Sequence, residues 1–219
     1  MEARENLDRV VEGVAAAHQG LLAMLDEFVS DGRLDGGVPS RLPRWSVGHV
    51  LTHLARNADS MVRAFDGAAR GEVADRYPGG TESRDAEIEG GAGRPPDELV
   101  DDVRRMIWRL EQAWSGAVDW DARCREVDGR EIPLHHLPFL RWRETEVHRV
   151  DLGLDYEPAD WPSTYVRLDL RELEMRWNAR RPMGMTGLPA QALAADPPTR
   201  LAWLLGRTTI AGLDPAHVF

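Results

Sequence analysis

Apolar residues recur along the first part of the chain at three- and four-residue intervals. Between residues 5 and 31, Leu7, Val10, Val11, Val14, Leu21, Leu22, Leu25, Phe28 and Val29 make one stripe, and the spacing predicts an amphipathic helix. Turns follow at Asp31-Gly32 and Asp35-Gly36-Gly37. Ser46 is placed to cap a second helix whose apolar face carries Val47, Val50, Leu51, Leu54, Ala58, Met61, Val62 and Phe65, ending near Gly67 to Gly71. Residues 72 to 96 are rich in glycine, proline and charge. They read as a long connection with one short helical piece around Arg84 to Glu89. A third helix is predicted from Pro96 to Ser115, with Leu99, Val103, Met106, Ile107, Leu110 and Trp114 as its stripe, and a fourth from His135 to Leu152. The expected fold is mainly α, a four-helix bundle over residues 1–155.

The texture changes after Asp155. Tyr165 to Leu170 alternate apolar and polar in period two, which predicts a strand over Thr164 to Leu170. A helix is expected at Arg171 to Arg180, a loop at Arg181 to Gly187, and a last helix at Pro198 to Leu205 ending at Gly206. Residues 156–219 are too few for a large core, so a small α+β C-terminal domain that packs on the bundle is expected.

Composition narrows the functional classes. With 219 residues, 42% of them hydrophobic, there is enough apolar surface for one good core and an appendage. A formal charge of -10 argues against nucleic acid or an anionic membrane as partner, because an acidic surface repels both. No apolar run is long enough to span a bilayer, and the acidic, amphipathic start is unlike a secretion signal. A cytoplasmic protein acting on a small molecule, monomeric or homodimeric, is expected. Cys124 is the sole cysteine, which excludes an internal disulfide and a cysteine-rich zinc site. All 27 basic residues are arginine, so lysine chemistry is excluded too.

Candidate chemistry sits on two of the helices. His49, His53 and Asn57 fall at four-residue steps on one face of the second, and Glu144 and His148 are four apart on the fourth. Two imidazoles and one carboxylate facing inward from a bundle make a three-ligand metal site, and with zinc that set belongs to catalytic centres that keep a position open. Spacing alone leaves His49 as a rival of His53 and Glu146 as a rival of Glu144, although Glu146 is only two residues from His148. His135 and His136, being adjacent, point apart and are read as the first turn of the fourth helix. His18 and His217 have no useful neighbour in sequence.

Three segments, LPRWSVGHVLTHLARNADSMVRAF (42–65), SRDAEIEGGAGRP (83–95) and RWRETEVHRVDLGLDY (141–156), resemble the mycothiol-dependent maleylpyruvate isomerase family of the DinB-like superfamily. The closing LAWLLGR (201–207) resembles that family's small C-terminal domain. The resemblance implies a DinB-like bundle holding a divalent metal, zinc by preference, on His53, Glu144 and His148, with mycothiol as thiol cofactor. It also implies a reactive arginine in the tail, matching Arg207. A thiolate adding reversibly to an unsaturated oxo acid, as in maleylpyruvate to fumarylpyruvate, is the implied reaction. A metal-dependent thiol S-transferase is the alternative, and a ligand-sensing bundle without catalysis a third reading. Cys124 has no activating neighbours in sequence, which favours an external thiol. Arg84 and Asp85 in the long connection, with Asn57 one turn beyond His53, are the expected thiol contacts.

Overall fold

The chain is described by a computed structural model covering residues 2–116, 118–180, 187–216 and 218. It divides into two compact units, Met1–Leu154 and Asp155–Phe219.

The first unit contains α1 (Glu2–Ser30), α2 (Val47–Ala69), α3 (Gly80–Ala92), α4 (Pro96–Ser115), a hairpin of β1 (Arg123–Arg125) and β2 (Glu131–Pro133), and α5 (Leu137–Asp151). A 3₁₀ turn at Leu134–His136 leads into α5, so the adjacent histidines do form its entry. Helices α1, α2, α4 and α5 make the expected bundle, α2 packing on both α4 and α5 and α1 on the same two. Helix α2 is the most enclosed: Val50, Leu51, Leu54, Ala58 and Met61 have no exposed surface. Two glycines allow the closest approaches. A Cβ at Gly13 would run into the Trp142 ring, and one at Gly48 would collide with the Ala92 carbonyl oxygen, which lets α3 end against the start of α2.

Residues 72–96 carry more structure than expected. The short helical piece is the 13-residue α3, whose pattern is weak because only Ile88 and Ala92 are buried. The hairpin was not expected at all. It pairs Cys124 with Ile132 around a turn at Gly129, which has φ +83°, and three-residue strands are too short to show a period.

The second unit contains a 3₁₀ turn at Pro158–Asp160, α6 (Ser163–Ala179), α7 (Ala190–Ala194) and α8 (Pro197–Leu204). The strand expected at Thr164–Leu170 is instead the first half of α6, and the described residues of this unit contain no strand. Tyr165, Val166, Asp169, Leu170 and Leu173 are the buried positions, a 3.6-residue stripe of which the six-residue window showed only an alternating fragment. Asp196 caps α8 by accepting from Thr199 N at 3.0 Å, and the rings of Trp177 and Trp203 meet at 5.2 Å. The expected loop at Arg181–Gly187 lies outside the described residues except for Gly187. No helix among the described residues is long and apolar enough to cross a membrane.

Candidate metal centre

The start of α2 is fixed by its cap. The Ser46 hydroxyl accepts from His49 N, and His49 Nδ1 in turn accepts from Ser46 N at 3.1 Å. His49 Nε2 is 3.1 Å from Glu89 Oε2 on α3. Both ring nitrogens of His49 are thus engaged at the helix entrance, and the next turn places His53 over α5. Glu146 is likewise engaged, accepting from Trp142 Nε1 at 3.2 Å and buried.

His53, Glu144 and His148 converge. His53 Nε2 is 2.8 Å and His148 Nε2 3.2 Å from the same oxygen, Glu144 Oε2, and the two rings meet edge to face at 4.5 Å. The three offered ligand atoms lie within 4.8 Å of one another, and no other group of this kind occurs among the described residues. Glu144 is 23% exposed and His148 13%, so the site is walled by the bundle yet reachable from outside.

Charge balance explains how these groups coexist. Burial alone would raise the Glu144 carboxyl, but hydrogen bonds and charge from His148 and His53 hold it well below the ordinary carboxylate range. Burial pushes His53 down to about 4, with the neighbouring His148 acting in the same direction. Burial also opposes the His148 proton, but Asp151 and Glu144 outweigh it and raise this group above an ordinary histidine. Asp151 and Glu144 thus both favour the proton on His148. His148 Nδ1 lies 2.9 Å from Asp151 Oδ2, and Asp151 is buried. The approach is off the ring N–H axis, an ion-pair contact rather than a formed hydrogen bond. It puts a carboxylate behind a candidate ligand, an arrangement common in metal sites.

The donor set fits a divalent cation. Two imidazole nitrogens and one carboxylate oxygen face a common point, and a divalent cation held there would compete with protons for the same atoms. One contact has to change on loading. Arg84 NH2 donates to His53 Nδ1 at 3.2 Å, which leaves the ring proton on Nε2. Coordination through Nε2 moves that proton to Nδ1, where it faces a guanidinium donor, so Arg84 must turn away.

The other expected site residues are placed as follows. Asp85 is exposed and accepts from Arg84 NH1 at 2.9 Å. Asn57 is buried, and its Oδ1 accepts from Arg141 NH1 at 3.0 Å, which gives it a supporting position beneath the site. Arg207 lies in the second unit just after α8, where NH1 donates to Leu205 O at 2.8 Å. Cys124 is buried and its thiol is pushed up to about 11 by burial, so it offers no thiolate at neutral pH.

Sequence reasoning missed Arg141 and misread His18. Arg141 is fully buried, donating from Nε to His18 Nε2 at 3.0 Å and from NH1 to Leu54 O at 2.9 Å. His18 Nδ1 pairs with Glu111 Oε1 at 2.8 Å across 93 positions, so the partner absent in sequence is present in space. The period of α5 carried a signal for Arg141, since it falls one turn before Glu144 and Thr145 on an inward face. His217 lies outside the described residues.

Comparison with known proteins places the chain in a family. No curated protein sequence matches. Two solved structures described as the mycothiol-dependent maleylpyruvate isomerase, one of them a histidine-to-alanine mutant, share the fold with TM-scores of 0.77 and 0.76. Each is 22% identical, over 92% of this chain and 90% of that one. The family model for the mycothiol maleylpyruvate isomerase N-terminal domain matches residues 14–153, a span that includes His53, Glu144 and His148. The chain belongs to the mycothiol maleylpyruvate isomerase N-terminal domain family.

Proposed function

We propose that this protein is a metal-dependent, mycothiol-using cis-trans isomerase of the maleylpyruvate type, with His53, Glu144 and His148 as ligands and zinc as the metal. The observation that carries the reading is the convergence of three donor atoms within 4.8 Å at a half-buried point of a chain in this family. A divalent metal held there would keep a bound thiol as thiolate, whose reversible addition to the double bond of an unsaturated oxo acid permits rotation before the thiol leaves.

The protein's own groups shape that chemistry. Glu144 stays ionised beside the two histidines and contributes negative charge to the ligand set. Asp151 orients His148 from behind. Arg84, released from His53 on loading, becomes a cation at the edge of the site, suited to pair with the substrate carboxylate or the thiol's polar groups; Asp85 steers it from the solvent side. Arg207, in the second unit, is assigned a second carboxylate-binding role. A cytoplasmic location and a small-molecule substrate complete the reading.

The test is an assay of the zinc-loaded protein with mycothiol and maleylpyruvate, following fumarylpyruvate formation and free thiol together. Isomerisation with thiol unchanged supports the proposal. Stoichiometric loss of thiol instead identifies an S-transferase. Absence of both, with a His53→Ala variant that binds metal as well as wild type, overturns it.

A further inference from the structure

If mycothiol places its sulfur at the His53–Glu144–His148 set, the rest of the molecule must lie close by. Its cysteinyl amide separates the sulfur from the amino sugar by one residue, and a residue spans at most ~3.6 Å. With a metal–sulfur separation of ~2.3 Å added, the first ring would begin within about 6 Å of the metal point, roughly one helical turn.

Along the face of α2 that carries His53, the two directions differ. Toward the C-terminus, Asn57, Met61 and Arg141 are buried and closely packed. Toward the N-terminus, His49 is 18% exposed, and the Trp45 ring lies 5.5 Å from the His53 ring and 6.2 Å from that of His49. Beyond Trp45 opens a cleft of about 500 Å³ lined by Gly37, Pro39, Arg41, Leu42, Arg44 and Trp45 among others. It is a shallow trough with an aromatic wall beside the ligands and two arginines on its rim.

The segment that holds Trp45 is pinned. Ser40 N donates to Trp45 O at 2.9 Å, and Arg41 N donates to the carbonyl of Asp151 at 2.8 Å, the residue whose carboxylate backs His148. Arg44 takes the left-handed conformation with φ +70°, uncommon for a residue with a Cβ, and turns the chain directly before Trp45. The segment is thus held where the indole both neighbours His53 and lines the cleft.

We propose that Trp45, with His49 at its edge, is the sugar-binding platform for mycothiol. The C–H face of the amino-sugar ring packs on the indole, and the hydroxyls meet the Arg41 and Arg44 rim. The cysteinyl arm turns back to the metal ligands. This rests on the mycothiol reading above and adds residues that contact the cofactor away from its sulfur.

The test is calorimetric titration of the zinc-loaded full chain with mycothiol and with N-acetylcysteine, which carries the thiol and no sugar. Wild type should bind mycothiol more tightly, and Trp45→Leu should remove about tenfold of that advantage, ~1.4 kcal/mol. N-acetylcysteine and zinc affinities should not change, and Trp45→Phe, which keeps a flat ring, should retain most of the effect. If both variants bind mycothiol as wild type does, the platform is wrong and the thiol reading stands. Equal weakening of both thiols means that Trp45 acts by holding His53, and also overturns it. If wild type binds mycothiol no better than N-acetylcysteine, the mycothiol reading itself falls.

Discussion

Two buried histidine–glutamate clusters stand in the same bundle, and only one of them is suited to a metal. His53 and His18 are both enclosed, and burial pushes both down to about 4. Each is 2.8 Å from a glutamate oxygen. The difference is the third member. At His53 it is another histidine, whose Nε2 faces the same carboxylate oxygen, so three groups able to ligate point at one place. At His18 it is Arg141, a permanent donor that occupies Nε2 and cannot ligate. A buried histidine with a carboxylate is therefore not a site by itself; what the third group has to offer decides it.

The largest effect should come from breaking the converging set. Glu144→Gln removes the one ionised ligand and leaves two buried imidazoles facing a neutral amide. Zinc affinity, read by competition with a chromogenic chelator, should fall by more than the ~10–100-fold that changes behind a ligand usually cost. Glu111→Gln, the matching change in the other cluster, should leave zinc affinity where it was. A loss of similar size in both variants would show that the two clusters are one coupled unit.

The complementary break is Arg141→Leu. It strips the donor from His18 Nε2, Leu54 O and Asn57 Oδ1, all within the core. The expected cost is about 3–5 kcal/mol in urea unfolding, the range for removing one partner of a buried charged network. Burial lowers this guanidinium only to about 10, so it is charged at neutral pH and the loss should appear there.

Acid sharpens the contrast. A folded histidine held near 4 refuses a proton that the unfolded chain accepts from about 6.5 downward. Stability of the metal-free protein should therefore fall as pH drops from about 6.5, at up to ~1.4 kcal/mol per unit for each such histidine. His18 and His53 act with the same sign in this window. His148 does not contribute to the slope there, because a raised group gives its full stabilisation below 6.5 and loses it only as pH rises through its folded value. Glu144, held low, loses its contribution only in stronger acid. His18→Gln should leave roughly half the slope between about pH 6.5 and 4.5. An unchanged slope would mean that His18 titrates normally.

Much of this was legible in the sequence, and the two clusters show why some was not. The candidate ligands come in four-residue steps on two helices, so helical period places each on its face, and family resemblance chose His53 over His49 and Glu144 over Glu146. In the structure both rivals are engaged elsewhere: His49 by its own helix cap and Glu89, and Glu146 by Trp142. His18, Glu111 and Arg141 come from three helices, one residue each, and a contact across 93 positions leaves no periodic trace. The failed strand at Thr164–Leu170 has the opposite cause. The signal was present, but the window was shorter than two helical turns.

The smallest effect expected concerns Asp151, which has no counterpart in the His18 cluster, where Arg141 stands behind the ring instead. Asp151→Asn keeps the shape and removes the charge beside His148 Nδ1. Zinc affinity should fall by about 10-fold, the lower end for a group behind a ligand, because the off-axis contact is weaker than an aligned one. The loss should also depend on pH in a direction that a merely structural role would not give. Asp151 raises His148, so in wild type a proton competes with the metal up to a higher pH than in the variant. As pH falls through that raised value, wild type loses affinity first, and the difference between the two proteins should narrow. If the gap instead stays constant with pH, the Asp151 carboxylate does not act through the proton on His148 and its role is structural.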